Sequence, residues 1–328
     1  MAYTETEARG LVIEAGHRLL ESGLIARTWG NISARVSETQ FIITPSGMAY
    51  DTLRPDDLVR VNITDLSHEG KGRPSSEKGV HAAAYRLRGE VNFVIHTHQD
   101  AASVVSVTGR DVAGLNDPLL GARVPCAGYG LPSTKKLTAN VEAALAAYPD
   151  SPAVLMKHHG TLCAGRDFDN AFAIADALEK ICAAVIRDSA PVAARLTIPE
   201  ALLAAGDAKC AVWAGGPAAV AVSREGRTLR PLLDDLAQIA GTDVRCANPD
   251  PGDIARKLRG RNAVLVRGYG AICTGDTGSD ADAVRMIVEK GCRARLYAET
   301  APGTRPLSPA DAALQRLIYL KKYSKLKK

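Results

Sequence analysis

Val91-Asn-Phe-Val-Ile-His-Thr-His98 is an apolar run that ends on two histidines one residue apart. A short apolar run of this kind predicts a buried strand. Alternate residues of a strand face the same side, so His96 and His98 aim two imidazoles at one point. A second apolar run, Ala153-Val-Leu-Met-Lys-His-His-Gly160, reaches a third histidine, His159. An imidazole arriving from that separate segment completes the three-histidine set that leaves one position open on a catalytic divalent metal. All seven histidines lie before residue 160. His158 points away from His159 on a strand, which makes it a supporting or structural residue. His17 and His68 read as ordinary core or surface side chains.

The elements around these runs alternate in type. Thr4-x-x-Glu7 is a capping box that opens an amphipathic helix through Leu20, with Gly23 as its stop. Arg27 to Arg35 passes from a loop into a strand, Phe41 to Thr44 and Leu58 to Ile63 are short β-type runs, and Pro45-Ser-Gly47 is a turn. Helices are predicted from Ser75-Ser-Glu77 onward, over Ala101 to Val107, Val141 to Ala147 and Asn170 to Arg187. Mixed strands and helices of this kind predict a layered α/β domain. Pro191 to Pro199 reads as the link to a second unit.

That second unit repeats the first. Ala153-Val-Leu-Met-Lys-His-His-Gly-Thr-Leu-Cys-Ala-Gly165 matches Ala263-Val-Leu-Val-Arg-Gly-Tyr-Gly-Ala-Ile-Cys-Thr-Gly275 at a constant offset of 110 residues. The offset continues through Glu179 with Glu289 and Cys182 with Cys292. A gap-free match over strand, turn and helix signals a duplicated fold element. Val124-Pro-Cys126 also resembles Val244-Arg-Cys246 at an offset of 120, so about ten residues are missing between the anchors, a gap expected at Gly128 to Leu137. At the metal position His159 becomes Tyr269, a poor ligand for zinc. The expected organisation is a catalytic domain at 1–195, a truncated metal-free repeat at 200–305 and a basic tail at 306–328.

Composition narrows the function. The chain has 328 residues, a hydrophobic share of 46% and a net charge of +5, and five lysines crowd its last eight residues. This is enough to bury a substantial core. The basic tail lacks interleaved aromatics or a recognition motif, which excludes a nucleic-acid partner. Seven cysteines without a C-x-x-C pair argue for reduced thiols in the cytoplasm. Glu5, Glu7 and Arg9 stand where a signal peptide would be basic and then apolar, and no apolar run is long enough to span a bilayer, so no membrane partner is expected.

Glu77 follows two serines at a helix start. Such a start offers free backbone N–H groups and hydroxyls, either as a simple cap or as an anion site. Gly30-Asn31 and Ser46-Gly47 are two further small, polar loops that can join Ser75-Ser76 around one phosphate.

Trp29-Gly-Asn-Ile-Ser-Ala-Arg35, Thr44-Pro-Ser-Gly47, Pro74-Ser-Ser-Glu77, His96-Thr-His98 and His158-His-Gly160 come in an order that resembles the class II aldolases of the fuculose-phosphate aldolase and ribulose-phosphate epimerase type. That superfamily also includes adducin heads. The resemblance covers residues 5 to 190. It implies a three-layer αβα fold around a mixed, mostly antiparallel sheet. It implies one zinc per chain on His96, His98 and His159, with Glu77 as a fourth contact and the acid/base. It implies a substrate phosphate held by Gly30, Asn31, Ser46, Gly47, Ser75 and Ser76. Pro125-Cys-Ala-Gly-Tyr-Gly130 is similar to the aldolase branch, where a tyrosine at the position of Tyr129 serves as the acid for the aldehyde oxygen. The family also implies a homo-oligomer.

The expected reaction cleaves a ketose phosphate to dihydroxyacetone phosphate and an aldehyde through an enediolate. A 4-epimerase using the same retro-aldol step is an alternative. Against it, the epimerase branch tends to carry an acidic residue where this chain has Arg123-Val124, and Asp at the position of Glu77. A non-catalytic adducin-like module would not need the three histidines and the glutamate. A dehydratase or decarboxylase on the same scaffold also remains open.

Overall fold

In the computed structural model, residues 2–22, 30–69, 72–187, 198–205 and 209–323 are described. The chain divides into two compact units, Met1–Ala183 and Ala184–Lys328. The first contains α1 (Glu5–Ser22), β1 (Gly30–Arg35), β2 (Gln40–Ile43), β3 (Val59–Asn62), α2 (Lys78–Leu87), β4 (Phe93–Thr97) and α3 (Asp100–Ser106). It continues through β5 (Val112–Asp117), β6 (Gly121–Val124), β7 (Cys126–Ala127), α4 (Lys135–Ala147), β8 (Ala153–Met156), β9 (Gly160–Gly165) and α5 (Phe168–Arg187). Seven strands form one sheet in the order β3-β2-β1-β4-β9-β8-β7. Every neighbouring pair is antiparallel except β7 with β8. This is the expected mixed, mostly antiparallel sheet.

The pleat explains the three layers. Val94, Val154, Met156 and Leu162 share one core with Phe41 and Val61 and with Val80, Ala83, Ala84, Leu137, Val141 and Leu145 of α2 and α4. Phe93 faces the other way, against Tyr3 and Phe168 at ring separations of 6.4 and 5.4 Å. Residues of strands are thus covered on both faces, which is why β4 reads as a continuous apolar run rather than an alternating one. α1 opens with the expected capping box: Glu7 Oε2 accepts from the Thr4 backbone N–H at 2.9 Å, and Thr4 Oγ1 accepts from the Glu7 N–H at 3.3 Å. Gly23 and Trp29 lie outside the described residues, as does most of the Pro191 to Pro199 link.

The second unit contains α6 (Glu200–Leu203), β10 (Cys210–Ala214), α7 (Pro217–Arg224), α8 (Asp234–Ile239), β11 (Cys246–Ala247), α9 (Pro251–Leu258), β12 (Ala263–Val266), β13 (Gly270–Gly275), α10 (Gly278–Tyr297) and α11 (Pro309–Ile318). Its sheet order, β10-β13-β12-β11, repeats β4-β9-β8-β7. The registers also coincide: Ala153 pairs Cys163 and Val154 pairs Leu162, as Ala263 pairs Cys273 and Val264 pairs Ile272. The parallel pair Cys126 with Leu155 returns as Cys246 with Leu265. The core repeats as well, with Ala247, Val264, Val266 and Ile272 at the positions of Ala127, Val154, Met156 and Leu162. The second unit is therefore a shorter, degenerate copy of the fold whose sheet starts at the equivalent of β4.

Three details differ from the sequence reading. The ten-residue gap is not confined to Gly128–Leu137. The helix itself shrinks from 13 residues in α4 to 8 in α9, and the loop before it is also shorter. The β5–β6 hairpin, not foreseen, is replaced in the copy by a segment containing α8. The stretch 306–328 does not begin as a tail: α11 buries Ala312, Gln315 and Arg316. Arg316 donates to the carbonyls of Gln238 and Ile239 at 2.8 and 2.9 Å, satisfying the open carbonyl end of α8. Residues 324–328 lie outside the described residues. No described helix is long and apolar enough to cross a membrane.

Candidate metal centre

β4 pairs β1 on one side and β9 on the other, so His96 sits mid-sheet, opposite Asn31 and Leu162, with no exposure to solvent. Its Nδ1 donates to the Thr161 carbonyl at 2.7 Å. That bond holds the ring in the tautomer whose Nε2 lone pair faces inward, the usual arrangement behind a metal-binding imidazole. The strand ends at Thr97, so His98 lies just beyond it rather than on it. It still falls on the same side, with its ring centroid 5.0 Å from that of His96. His159 comes from the turn between β8 and β9, 4.9 Å from His96 and 4.5 Å from His98 by ring centroids. The turn can approach this closely because residue 160 is glycine: a Cβ there would stand 2.3 Å from the Thr97 carbonyl oxygen.

The ligand nitrogens of His96, His98 and His159 lie within 4.8 Å of one another, the one such group among the described residues. Glu77 completes the ring of donors. Its Oε2 is 3.1 Å from His96 Nε2 and its Oε1 is 3.1 Å from His159 Nε2. It occupies the N-cap position of α2, yet its side chain makes no capping hydrogen bond. The carboxylate is turned away from the helix and toward the imidazoles. Burial alone would raise its pKa, but His159 and His96 hold it well below the usual carboxylate range. Three imidazoles and one carboxylate converge, with His96 and His159 buried and His98 and Glu77 half-buried, a set that suits a divalent transition metal.

The remaining predicted residues sit around this cluster. Gly30 and Asn31 open β1, and Asn31 Nδ2 donates to Glu77 Oε2 at 3.3 Å. A bridge between Pro45 and Pro74 zips two loops together, with the Ser46 N–H donating to Arg73 O at 2.9 Å and the Ser75 N–H to Thr44 O at 3.0 Å. This places Ser46-Gly47 beside Ser75-Ser76. Ser75 is buried and accepts from the Glu77 N–H, whereas Ser76 is exposed and bonded to Ser133 Oγ at 2.8 Å. That last bond ties the loop of Tyr129 to the loop of the two serines. Tyr129 is half-buried and packs against His158. His158 is not on the strand, as the sequence suggested, but in the left-handed conformation of the turn, at φ 65°.

The sequence reading overlooks His81. Fully buried on α2, it contacts Asn31 Oδ1 through Nε2 and Ser33 Oγ through Nδ1 at 2.7 Å, and Ser33 Oγ lies 2.8 Å from the Tyr85 hydroxyl. A neutral imidazole lets every bond run one way: Tyr85 to Ser33, Ser33 to His81, His81 to Asn31, Asn31 to Glu77. The signal was available, since Glu77, His81 and Tyr85 recur every four residues on one helix face.

Burial, then the charge of His96, pushes His81 down to about 3 from 6.5, although the Glu77 charge opposes this. Below pH 6.5 the unfolded chain therefore takes up a proton that the folded protein refuses. Stability from this group is complete above 6.5 and is lost toward pH 3, at about 1.4 kcal/mol per pH unit. Urea unfolding at pH 6.5 and 5 should show wild type losing about 2 kcal/mol more than His81→Asn. Equal losses in both proteins would assign the acid sensitivity to other groups.

In the second unit the same register replaces each of the three clustered histidines. Trp213 stands at the position of His96, Gly215 at that of His98 and Tyr269 at that of His159. Trp213 Nε1 donates to the Tyr269 carbonyl at 2.6 Å, so the indole is engaged within the degenerate site.

Fold and site together define a three-layer α/β domain with a centre of three histidines and one carboxylate. The sequence model of the Class II Aldolase and Adducin N-terminal domain matches two stretches, residues 10–186 and 196–296. The chain belongs to this class II aldolase and adducin family. It is 31% identical over 192 residues to a 5-deoxy-D-ribulose 1-phosphate aldolase from Bacillus thuringiensis serovar kurstaki, a match covering 58% of this chain and 88% of that protein. It is 30% identical over 171 residues to an L-fuculose phosphate aldolase from Escherichia coli strain K12, covering 51% and 77%. A solved L-fuculose 1-phosphate aldolase superposes with a TM-score of 0.52 at 26% identity, covering 59% of this chain and 92% of the other.

Proposed function

We propose that the chain is a zinc-dependent aldolase that cleaves a ketose phosphate into dihydroxyacetone phosphate and an aldehyde. The observation that carries this reading is the Glu77 carboxylate, 3.1 Å from two of the three clustered imidazoles and not used as a helix cap. A binding module has no use for an uncapped carboxylate among three imidazoles. The aldolase names of the relatives and the sugar phosphates in those names support the same substrate class.

Zinc on His96, His98 and His159, with Glu77 as a further contact, supplies a Lewis acid for the negative charge that develops on the substrate oxygens. Gly30, Asn31, Ser46, Gly47, Ser75 and Ser76 hold the phosphate, through the serine hydroxyls and the backbone N–H groups not already spent on the bridge between the two loops, which lowers the entropic part of the barrier. In cleavage Tyr129 runs the acid role in reverse: as the phenolate it takes the proton from the hydroxyl on C4 as the C3–C4 bond breaks, and becomes the phenol that would protonate the aldehyde oxygen in the opposite direction. The electron pair of that bond moves toward the C2 carbonyl and the aldehyde leaves. Glu77, which takes up a proton from solvent before this step, delivers it to C3 of the enediolate while Tyr129 releases the proton it took, so both groups are reset, and the general-acid step is worth about 10²–10⁴-fold. Asn31, held by His81, keeps the carboxylate in register.

Seven free thiols suit a reducing compartment, and this reading places the enzyme in the cytoplasm as a homo-oligomer. The test is a coupled assay for dihydroxyacetone phosphate release from a panel of ketose 1-phosphates, using protein of measured zinc content. Release from at least one substrate is the expected result. A stereoisomeric sugar phosphate formed without release would identify an epimerase, and no reaction of either kind would defeat the reading.

A further inference from the structure

The two copies of the fold contain the same turn with different residues at its strained position. In the first, the Lys157 N–H donates to Ala127 O and the His159 N–H to Met156 O, at 3.1 and 3.0 Å. In the second, the Arg267 N–H donates to Ala247 O and the Tyr269 N–H to Val266 O, both at 2.9 Å. Between these bonds the backbone is left-handed in both, at φ 65° for His158 and 84° for Gly268. Glycine adopts this conformation freely, whereas a side chain there is strained. The copy without metal ligands uses glycine, and the copy with them retains an imidazole that is buried, with a relative exposure of 5%.

The retained ring has a specific neighbour. His158 packs edge-to-face on Tyr129, with centroids 5.5 Å apart and planes at 72°. The backbone under Tyr129 is anchored separately: Asn140 Nδ2 donates to the carbonyls of Gly128 and Tyr129 at 2.9 and 3.0 Å. The phenol oxygen is shielded from solvent although the residue as a whole is only half-buried. In the second unit the loop at this place is shorter, and its residues, Asn248-Pro-Asp250, include no tyrosine. The imidazole and the tyrosine are thus absent together from the copy that lacks the ligands.

We propose that His158 is a positioning residue: it holds the Tyr129 ring against the metal-ligand turn so that the phenol meets the reacting oxygen. This rests on the reading of Tyr129 given under Proposed function. The alternative is a turn residue that merely fills space.

The experiment compares wild type, His158→Gly and His158→Asn, each with and without Tyr129→Phe. Glycine relaxes the turn, and asparagine tolerates the left-handed conformation without supplying an aromatic ring. Both single variants should keep wild-type metal content and thermal stability while kcat falls about tenfold and KM changes less than about threefold. In the Tyr129→Phe background the same substitutions should lower kcat by less than about twofold, because a group acting through Tyr129 has nothing left to position. Unchanged kcat in the single variants, or an equal fall in both backgrounds, overturns the proposal. A second readout needs no turnover. With ring-labelled tyrosine, the Tyr129 signal, assigned by its loss in Tyr129→Phe, should be shifted and narrow in wild type and averaged in His158→Gly. A signal with the same width and position in both overturns the inference. Absence of turnover in wild type would defeat the aldolase reading and leave the tyrosine signal to decide this one.

Discussion

His96→Ala protein should purify folded, with no bound divalent metal and no measurable turnover. His96 has no solvent exposure and is pinned by the Thr161 carbonyl, so no neighbouring side chain can swing in to replace it. Disturbing groups that merely support a ligand already costs about 10–100-fold in metal affinity, and removing the ligand itself costs more. The same result is expected for His98→Ala and His159→Ala. Elemental analysis checks it, with circular dichroism confirming the fold. His159→Ala carries a further prediction. Wild type should bind about one zinc per chain, and this variant none, because Trp213, Gly215 and Tyr269 occupy the ligand positions of the second copy. Zinc remaining in His159→Ala would place a metal elsewhere and undo the assignment of the second copy as metal-free.

Glu77→Gln should keep its fold and much of its zinc while turnover falls by about 10²-fold or more. The amide matches the carboxylate in size and still accepts from Asn31 Nδ2, so the hydrogen-bond chain through His81 survives. What it lacks is a site that takes and returns a proton at substrate carbon. The loss should therefore appear in kcat more than in KM, since phosphate contacts are untouched. Near-normal turnover would reduce Glu77 to a dispensable contact and move the proton transfer to another residue.

The clustering of His96, His98 and His159 is legible in the sequence because imidazole is scarce and two of them close an apolar run, a pattern that a buried sheet turns into geometry. The argument from strand alternation nonetheless holds only loosely. β4 stops at Thr97, and His98 converges because the chain continues in the same direction for one more residue before α3. His158 shows the limit of that argument, since a turn residue does not follow the alternation of the strand before it. The duplication is legible because a constant offset preserves register, and register preserves the core. The position of the gap is not, because a helix can lose residues internally while both anchors stay paired. His81 escapes notice because its role depends on Ser33 and Asn31, which are distant in sequence and meet it only across the β1–α2 packing. Residues 309–318 look like the start of a basic tail until α8 supplies the open carbonyls that Arg316 satisfies.

The central claim is that this site makes and quenches an enediolate of dihydroxyacetone phosphate. That half-reaction can be observed without knowing the aldehyde. Zinc-loaded protein incubated with dihydroxyacetone phosphate alone in deuterium oxide should exchange one hydrogen on the hydroxymethyl carbon, stereospecifically, and Glu77→Gln should slow that exchange by about 10²-fold or more. Failure of fully zinc-loaded wild type to exchange any hydrogen would contradict the account.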